Sequence, residues 1–313
     1  MKLSRAAREF IAHKRSRGAL YRREAYTLKA FCKALPGRDI TAVTTADVKK
    51  FVFENQFRCK HSRYGHLRVF WRFAVGRRYI SSPPLLAVEP KNLTDFGPYI
   101  YPREELKRLF AEAGTITRWN DPLIGTTFRT ILILLYGAGL RINEALSLKG
   151  CDVDLADSLL TIRDTKFFKS RLVPISPCLT EVLRAYVAER ARRHYPMTPD
   201  GYFFATARSS RLQDQVVQGR FQTLRTRLGI RRTDGAFHQP RLHDLRHTFA
   251  RHRLLAGYRD KEDLQSLLVG LSTYLGHSDL KHTQRYLTLA PELLSEASRR
   301  FERYALKEVP HVR

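Results

Sequence analysis

The 313-residue chain is 43% hydrophobic and 11% aromatic, enough to fill the cores of two domains, so a disordered polymer is excluded. Its 56 Lys and Arg against 30 Asp and Glu leave a formal charge of +26, and a surplus of that size points to a polyanionic partner, with nucleic acid first in line. Cys32, Cys59, Cys151 and Cys178 form no C-x-x-C pair, which argues against a zinc ribbon or a disulfide framework, and no apolar run reaches membrane-spanning length, so a cytoplasmic protein without membrane association is expected.

In chain order, apolar periodicity predicts helices near 3–16 and 20–35, a third over 44–56 opened by a threonine cap, and a fourth over 62–79. In the fourth, Leu67, Phe70, Trp71 and Phe73 with Ala74 make the core stripe, leaving Arg63, Arg68, Arg72, Arg77 and Arg78 to face phosphates. Residues 1–97 hold 21 basic against 7 acidic residues, a denser positive charge than in the rest of the chain. Five prolines between Pro83 and Pro102 interrupt the helical pattern. The expected organisation is therefore a helical domain over 1–82, a linker over 83–101 and a second domain over 102–313.

The second part opens with a helix over 102–113, where Pro102, Glu104 and Glu105 suit a helix start. "ILILLYGAGL" (131–140) reads as a buried helix ended by Gly137 and Gly139. Arg141 follows at once, beside the free N–H groups of a fresh helix start, a place suited to holding a phosphate or to an ordinary interhelix turn. Residues 157–176 carry two short β-type runs around a basic turn, a hairpin, and the pattern after 178 is again mostly helical. The fold class expected is mainly α with a small β-sheet.

In "QPRLHDLRHTFARH" (239–252), His243, Arg246 and His247 stand at helical spacing. Three uses compete for them: a solvated basic helix, a catalytic cluster, and an H-x-x-x-H zinc pair. The third is the weakest, because Asp244 stands where a zinc hydrolase needs the longer Glu.

"GLRINEALSL", "HDLRHTFA", "LGHSD" and "TQRYL", in that order, closely resemble the motifs of the tyrosine recombinase, or phage integrase, family across about 100 to 300. The resemblance implies a site-specific recombinase that cuts and rejoins double-stranded DNA through a 3′-phosphotyrosyl link and a Holliday junction, with no metal, cofactor or ATP. It gives Tyr286 the nucleophile's place, Arg141 and Arg246 the places of two phosphate-binding arginines, and His243 and His277 proton-transfer or hydrogen-bonding roles. Lys166 in the hairpin turn takes the place of the leaving-group acid, but Thr165 and Phe167 depart from the family's frequent Gly-Lys-Gly turn, and Lys169 is a rival. Two alternatives stay open: a type IB topoisomerase-like nicking-closing enzyme, and a catalytically silent DNA-binding protein.

Tyr274 is expected to pack rather than react. The interval from Arg246 to His277 suggests an insertion around 257–270 with an exposed charged turn. The apolar face of 290–306 suggests a C-terminal helix, which either packs on its own chain or, as the resemblance implies, docks onto a neighbouring protomer of a DNA-bound tetramer, with accessory proteins as further candidate partners.

Overall fold

A computed structural model describes residues 1–53, 60–90, 97–116, 121–163, 170–195, 197–206, 210–236, 238–277, 279–288, 298–299 and 302. The chain divides into two compact units, one over Met1–Asp95 and one over Phe96–Thr165 with Lys169–Arg313.

The first unit is built from α1 (Leu3–Ser16), α2 (Arg22–Ala34), α3 (Thr45–Phe53) and α4 (Lys60–Gly76). Thr44 caps α3: its hydroxyl accepts from the Asp47 N–H, while the Asp47 carboxylate accepts from the Thr44 N–H. The stripe read from the sequence is the core. Phe10 packs against Phe70, and Phe31 meets Trp71 edge-on at 6.4 Å between centroids, all four rings being buried. The five arginines of this region differ in availability. Arg63 lies over the Phe51 ring and donates to its carbonyl, and Arg68 is paired with Glu89, so both are half-buried in intramolecular contacts. Arg72, Arg77 and Arg78 are exposed.

The Pro-rich stretch is more than a connector. Tyr64 donates its hydroxyl to the Leu86 carbonyl, which ties the beginning of that stretch to the first unit. Tyr101, fully buried, belongs to the second, where its N–H donates to the Thr248 hydroxyl and its own hydroxyl donates to the Arg241 carbonyl.

The second unit holds α5 (Arg103–Gly114), α6 (Ile124–Gly137), α7 (Ile142–Ser147), α8 (Pro177–Arg192), α9 (Asp214–Arg227), α10 (Asp244–Arg259), α11 (Leu264–Leu275) and α12 (Lys281–Thr288). The apolar run at 131–140 lies in α6, with Ile131, Leu132, Leu134 and Leu135 buried among α5, α8 and α10. The hairpin is present as β2 (Leu159–Ile162) and β3 (Arg171–Pro174), antiparallel with Leu160 opposite Val173 and Ile162 opposite Arg171. A short β1 (Val153–Asp154) adds to β2 and completes a sheet of order β1-β2-β3. Leu160, Ile162 and Val173 face the core, the alternation a half-buried sheet requires.

Most of the segment read as an insertion is helix. α10 continues to Arg259, an exposed turn over 260–263 follows, and α11 begins at Leu264, where the Asp263 carboxylate caps it by accepting from the Ser266 N–H. The expected C-terminal helix over 290–306 falls almost wholly outside the described residues, as do the turn lysines Lys166 and Lys169. No helix among the described residues is long and apolar enough to cross a membrane.

Candidate active site

The C-terminus of α11 organises the site. It ends in a Schellman motif: the His277 N–H donates to the Ser272 carbonyl and the Gly276 N–H to the Thr273 carbonyl, with Gly276 left-handed at φ +67°. The next three carbonyls then meet three arginines brought from elsewhere in the chain. Arg171 of β3 donates from Nε to the Tyr274 carbonyl at 3.0 Å, Arg246 of α10 to the Leu275 carbonyl at 2.7 Å, and Arg141, just before α7, to the Gly276 carbonyl at 3.3 Å. A helix C-terminus carries partial negative charge, so this is a favourable place to gather guanidiniums that would otherwise repel. The left-handed φ of Gly276 favours glycine there, and a Cβ would come within 2.9 Å of the Arg171 guanidinium and displace it from its contacts.

Glu144 supplies the counter-charge. As the third residue of α7 it reaches back to accept from the Arg141 N–H at 2.9 Å, and it also accepts from the Arg141 guanidinium at 2.8 Å. Arg171 grips the same carboxylate with two parallel bonds, at 3.1 and 2.9 Å, and Arg246 lies 3.9 Å from it. Three guanidiniums against one carboxylate leave the cluster at about +2, so an anion of phosphate charge would be attracted into it.

Desolvation by itself would raise the Glu144 pKa. The hydrogen bonds and charge of Arg171, followed by the contacts of Arg141, outweigh it and hold the carboxyl down at about 2. Its ordinary value is 4.5, so its stabilising contribution is complete above that pH and is lost as pH falls toward 2. The gap is worth roughly 3 kcal/mol. Urea midpoints should therefore decline between about pH 5 and pH 3 in the wild type, and by less in Glu144→Gln.

The two arginines singled out in the sequence are not equivalent. Arg141 keeps an exposed edge, its side chain being 40% accessible. Arg246 is only 2% accessible, and both its terminal amines are engaged, with the Gly139 carbonyl at 2.7 Å as well as Leu275. Gly139 permits that contact: its φ is +59°, and a Cβ there would lie 2.4 Å from the Phe249 ring, so only glycine lets α10 approach this closely. Burial and then the like charge of Arg141 lower the Arg246 pKa to about 10, which leaves it protonated at neutral pH.

Tyr286 of α12 sits in the groove between α10 and α11, 3% accessible, in a cluster with Ala250, Leu254, Leu271 and Leu275. Its hydroxyl is 3.0 Å from His247 Nδ1. The His277 ring lies nearly parallel to the phenol ring, 6.3 Å away between centroids, and is itself anchored through Nδ1 to the Thr283 hydroxyl at 2.8 Å. His243, immediately before α10, has its ring 4.8 Å from that of His247. Desolvation and then the Arg246 charge push the His243 pKa down.

Of the residues singled out in the sequence, Arg141, Arg246, His243, His277 and Tyr286 are thus gathered around the α10 and α11 ends. Lys166 and Lys169 lie outside the described residues. Tyr274 packs, stacking on Phe249 and donating its hydroxyl to the Pro174 carbonyl. Sequence reasoning missed Glu144 and Arg171 entirely. It weighed His247 as part of a solvated basic helix, a catalytic cluster or, least of all, a zinc pair, and among the described residues no group of three or more His, Cys, Asp and Glu side chains is placed to hold a metal. The Glu144 signal was present, an acid three residues after Arg141 at a helix start.

Comparison with known proteins places this geometry among relatives. A sequence model described as the phage integrase family matches residues 102–292. The chain is 36% identical over 309 residues to y4rB of Sinorhizobium fredii, provisionally named an integrase/recombinase, covering 95% of this chain and 96% of that protein. It is 34% identical over 262 residues to the tyrosine recombinase XerC of Rhizobium meliloti, covering 79% and 73% respectively. Among solved structures, a lambda integrase dimer bound to a core site shares the fold with a TM-score of 0.63 at 17% identity, covering 90% of this chain and 96% of that one. A Tn1549 transposon integrase in complex with transposon right end DNA does so with 0.63 at 15% identity, covering 91% and 94%.

Proposed function

The chain belongs to the phage integrase family and is a tyrosine-type site-specific recombinase; from that premise we propose that it cuts duplex DNA with the Tyr286 hydroxyl. The observation that carries this reading is the placement of that hydroxyl 3.0 Å from His247, with the His277 ring beside the phenol and the Arg246 charge close enough to act on it. Attack by the phenol oxygen joins it to phosphorus and releases a 5′-hydroxyl, leaving a 3′-phosphotyrosyl link. Since one phosphodiester replaces another, rejoining needs no external energy.

In this mechanism Arg141, with its exposed edge, is the first cation a scissile phosphate meets. Arg246, protonated and enclosed beneath it, contributes fixed positive charge where the pentacoordinate phosphorane accumulates negative charge. His243 and His277 donate to phosphate oxygens, and Lys166, with Lys169 as rival, protonates the departing 5′-oxygen. The near-complete burial of Tyr286 means that docking DNA must part the groups covering its hydroxyl.

Domain 1–82, joined through 83–101 to 102–313, acts as the core-binding domain, and exposed Arg72, Arg77 and Arg78 make it the second jaw of a clamp on double-stranded DNA. A lambda integrase tetramer has been solved bound to a Holliday junction. By that likeness this chain acts as a homo-tetramer exchanging strands through such a junction in the cytoplasm, with the segment around 290–306 docking in trans and accessory proteins assisting.

The reading is tested with a pool of nicked duplexes of random sequence, incubated with the protein and resolved on a denaturing gel. Wild type should yield a DNA-shifted band whose recovered DNA defines the cleavage site, and Tyr286→Phe should yield none. Non-covalent binding to the recovered site should weaken by on the order of 1,000-fold between about 50 and 200 mM salt, as phosphate-dominated contacts require. A covalent band in Tyr286→Phe, or none in wild type, contradicts the assignment.

A further inference from the structure

We infer that His247 is a catalytic residue of this site, accepting the hydrogen bond of the Tyr286 phenol and taking its proton as the oxygen attacks phosphorus. The inference rests on the assignment of Tyr286 as nucleophile, and the geometry that carries it is independent of any motif position. The Tyr286 hydroxyl lies 3.0 Å from His247 Nδ1, the rings being 5.6 Å apart, and the contact links α12 to α10 across 39 residues of sequence. The phenol side chain is 3% accessible, so the histidine holds the oxygen in a largely dry setting. His247 is also the next residue after Arg246, whose guanidinium forms the floor of the cluster. A histidine fixed there keeps the phenol oxygen beside the positive charge rather than turned into the apolar groove of Ala250, Leu254 and Leu271.

The chemistry asks for a neutral imidazole with its proton on Nε2, leaving the Nδ1 lone pair toward the phenol. The surroundings favour that form. Desolvation acts first, and around the ring stand His243 and Arg241 from the approach to α10, Arg246 on α10, and His277 after α11. Every one of these groups disfavours an added positive charge, and together they push the His247 pKa down to about 3. The lone pair is therefore free at neutral pH but only weakly basic, so proton uptake depends on the incoming phosphate, whose negative charge raises the ring's affinity for a proton as the reaction begins.

The step balances as follows: the phenol proton passes to Nδ1, the Tyr286 oxygen forms its bond to phosphorus, and the bond to the 5′-oxygen breaks with its electron pair. That oxygen then takes one proton from a cationic side chain, for which Lys166 is the candidate. Rejoining reverses each transfer, with His247 returning the proton to the phenol.

The experiment uses the full chain and the duplex recovered by covalent capture, made in two forms: one with the ordinary 5′-bridging oxygen at the cleavage position and one with 5′-bridging sulfur. Sulfur leaves without protonation, so it repairs defects on the leaving-group side and none on the nucleophile side. His247→Leu should form the covalent band at least about 100-fold more slowly with both substrates, while gel-shift affinity stays at the wild-type level. His247→Asn, whose amide oxygen stands near the Nδ1 position and can accept the hydrogen bond but not the proton, should recover only a small part of the rate, and His247→Gln, whose amide reaches the Nε2 position, should recover less, whereas wild-type rate in His247→Asn overturns the proton transfer. A His247→Leu rate equal to or faster than wild type overturns the proposal, the faster result marking a latch on the tyrosine. Restoration by sulfur overturns it too, since His247 would then serve the leaving group. Should His247→Leu fail to fold by thermal melting, the ordering of Asn over Gln decides in its place. Failure of the underlying assignment is a different pattern: no band in wild type, or a band in Tyr286→Phe.

Discussion

Replacing Arg246 by alanine should reduce formation of the covalent DNA complex by on the order of 1,000-fold, the scale of losing a preorganised charge-stabilising group. The side chain is 2% accessible and bridges two parts of the chain, donating to the carbonyl of Gly139 before α7 and to that of Leu275 at the end of α11. Alanine removes the positive charge and leaves two enclosed carbonyls without these donors, each costing about 1–3 kcal/mol. Arg246→Lys separates the two losses. Lysine restores the charge but, as a compact ammonium on a flexible stem, cannot span both carbonyls as the guanidinium fork does. It should recover part of the cleavage rate while melting below wild type. Cleavage rate and melting temperature measured on the three proteins check both halves. Wild-type cleavage by Arg246→Ala would remove this side chain from the mechanism.

The second large effect is expected at Glu144, on stability. The carboxylate is 9% accessible and faces Arg141, Arg171 and Arg246. Glu144→Ala strands three guanidiniums against one another, and removal of one partner from a buried ion cluster costs about 3–5 kcal/mol. For a unit of this size that corresponds to a fall in melting temperature of about 6–20 °C. Glu144→Gln retains acceptor capacity without charge and should fall between. Because Arg171 stands two residues after Lys169 and joins the hairpin to the end of α11, cleavage by Glu144→Ala should also decline at temperatures where the protein is still folded. Differential scanning calorimetry with parallel cleavage assays measures both, and an unchanged melting temperature would show that the cluster does not depend on its carboxylate.

What the sequence made legible and what it hid follow from the range of the interactions concerned. The helices of the first unit, the buried run in α6 and the β2–β3 hairpin depend on periodicity within a dozen residues, and those patterns are plain in the chain. Around 257–270 the exposed charged turn was legible and lies at 260–263, while the helix beyond it was not drawn out, although Leu264, Leu267, Leu268 and Leu271 recur at helical spacing and build α11. The five motif residues now gathered in one place were readable one by one. Their partners were not: the arginine-to-carbonyl contacts at α11 span 29, 103 and 135 residues, and backbone carbonyls have no signature in sequence. His247 was left without a specific role for a similar reason: its spacing from His243 and Arg246 is the same in a solvated basic helix, a catalytic cluster and a metal pair, and its partner is a phenol 39 residues away.

The central claim, that the phenol at 286 becomes bonded to DNA, is tested most directly by mass spectrometry of the captured complex. Digestion with nuclease and trypsin should leave a nucleotide phosphate on the peptide that begins at Tyr286, after cleavage at Arg285, and ends at Arg299. A phosphate remnant located on Tyr286 is the predicted result. A remnant on any other residue, Tyr274 included, or a cleaved duplex with no peptide attached, would contradict the account.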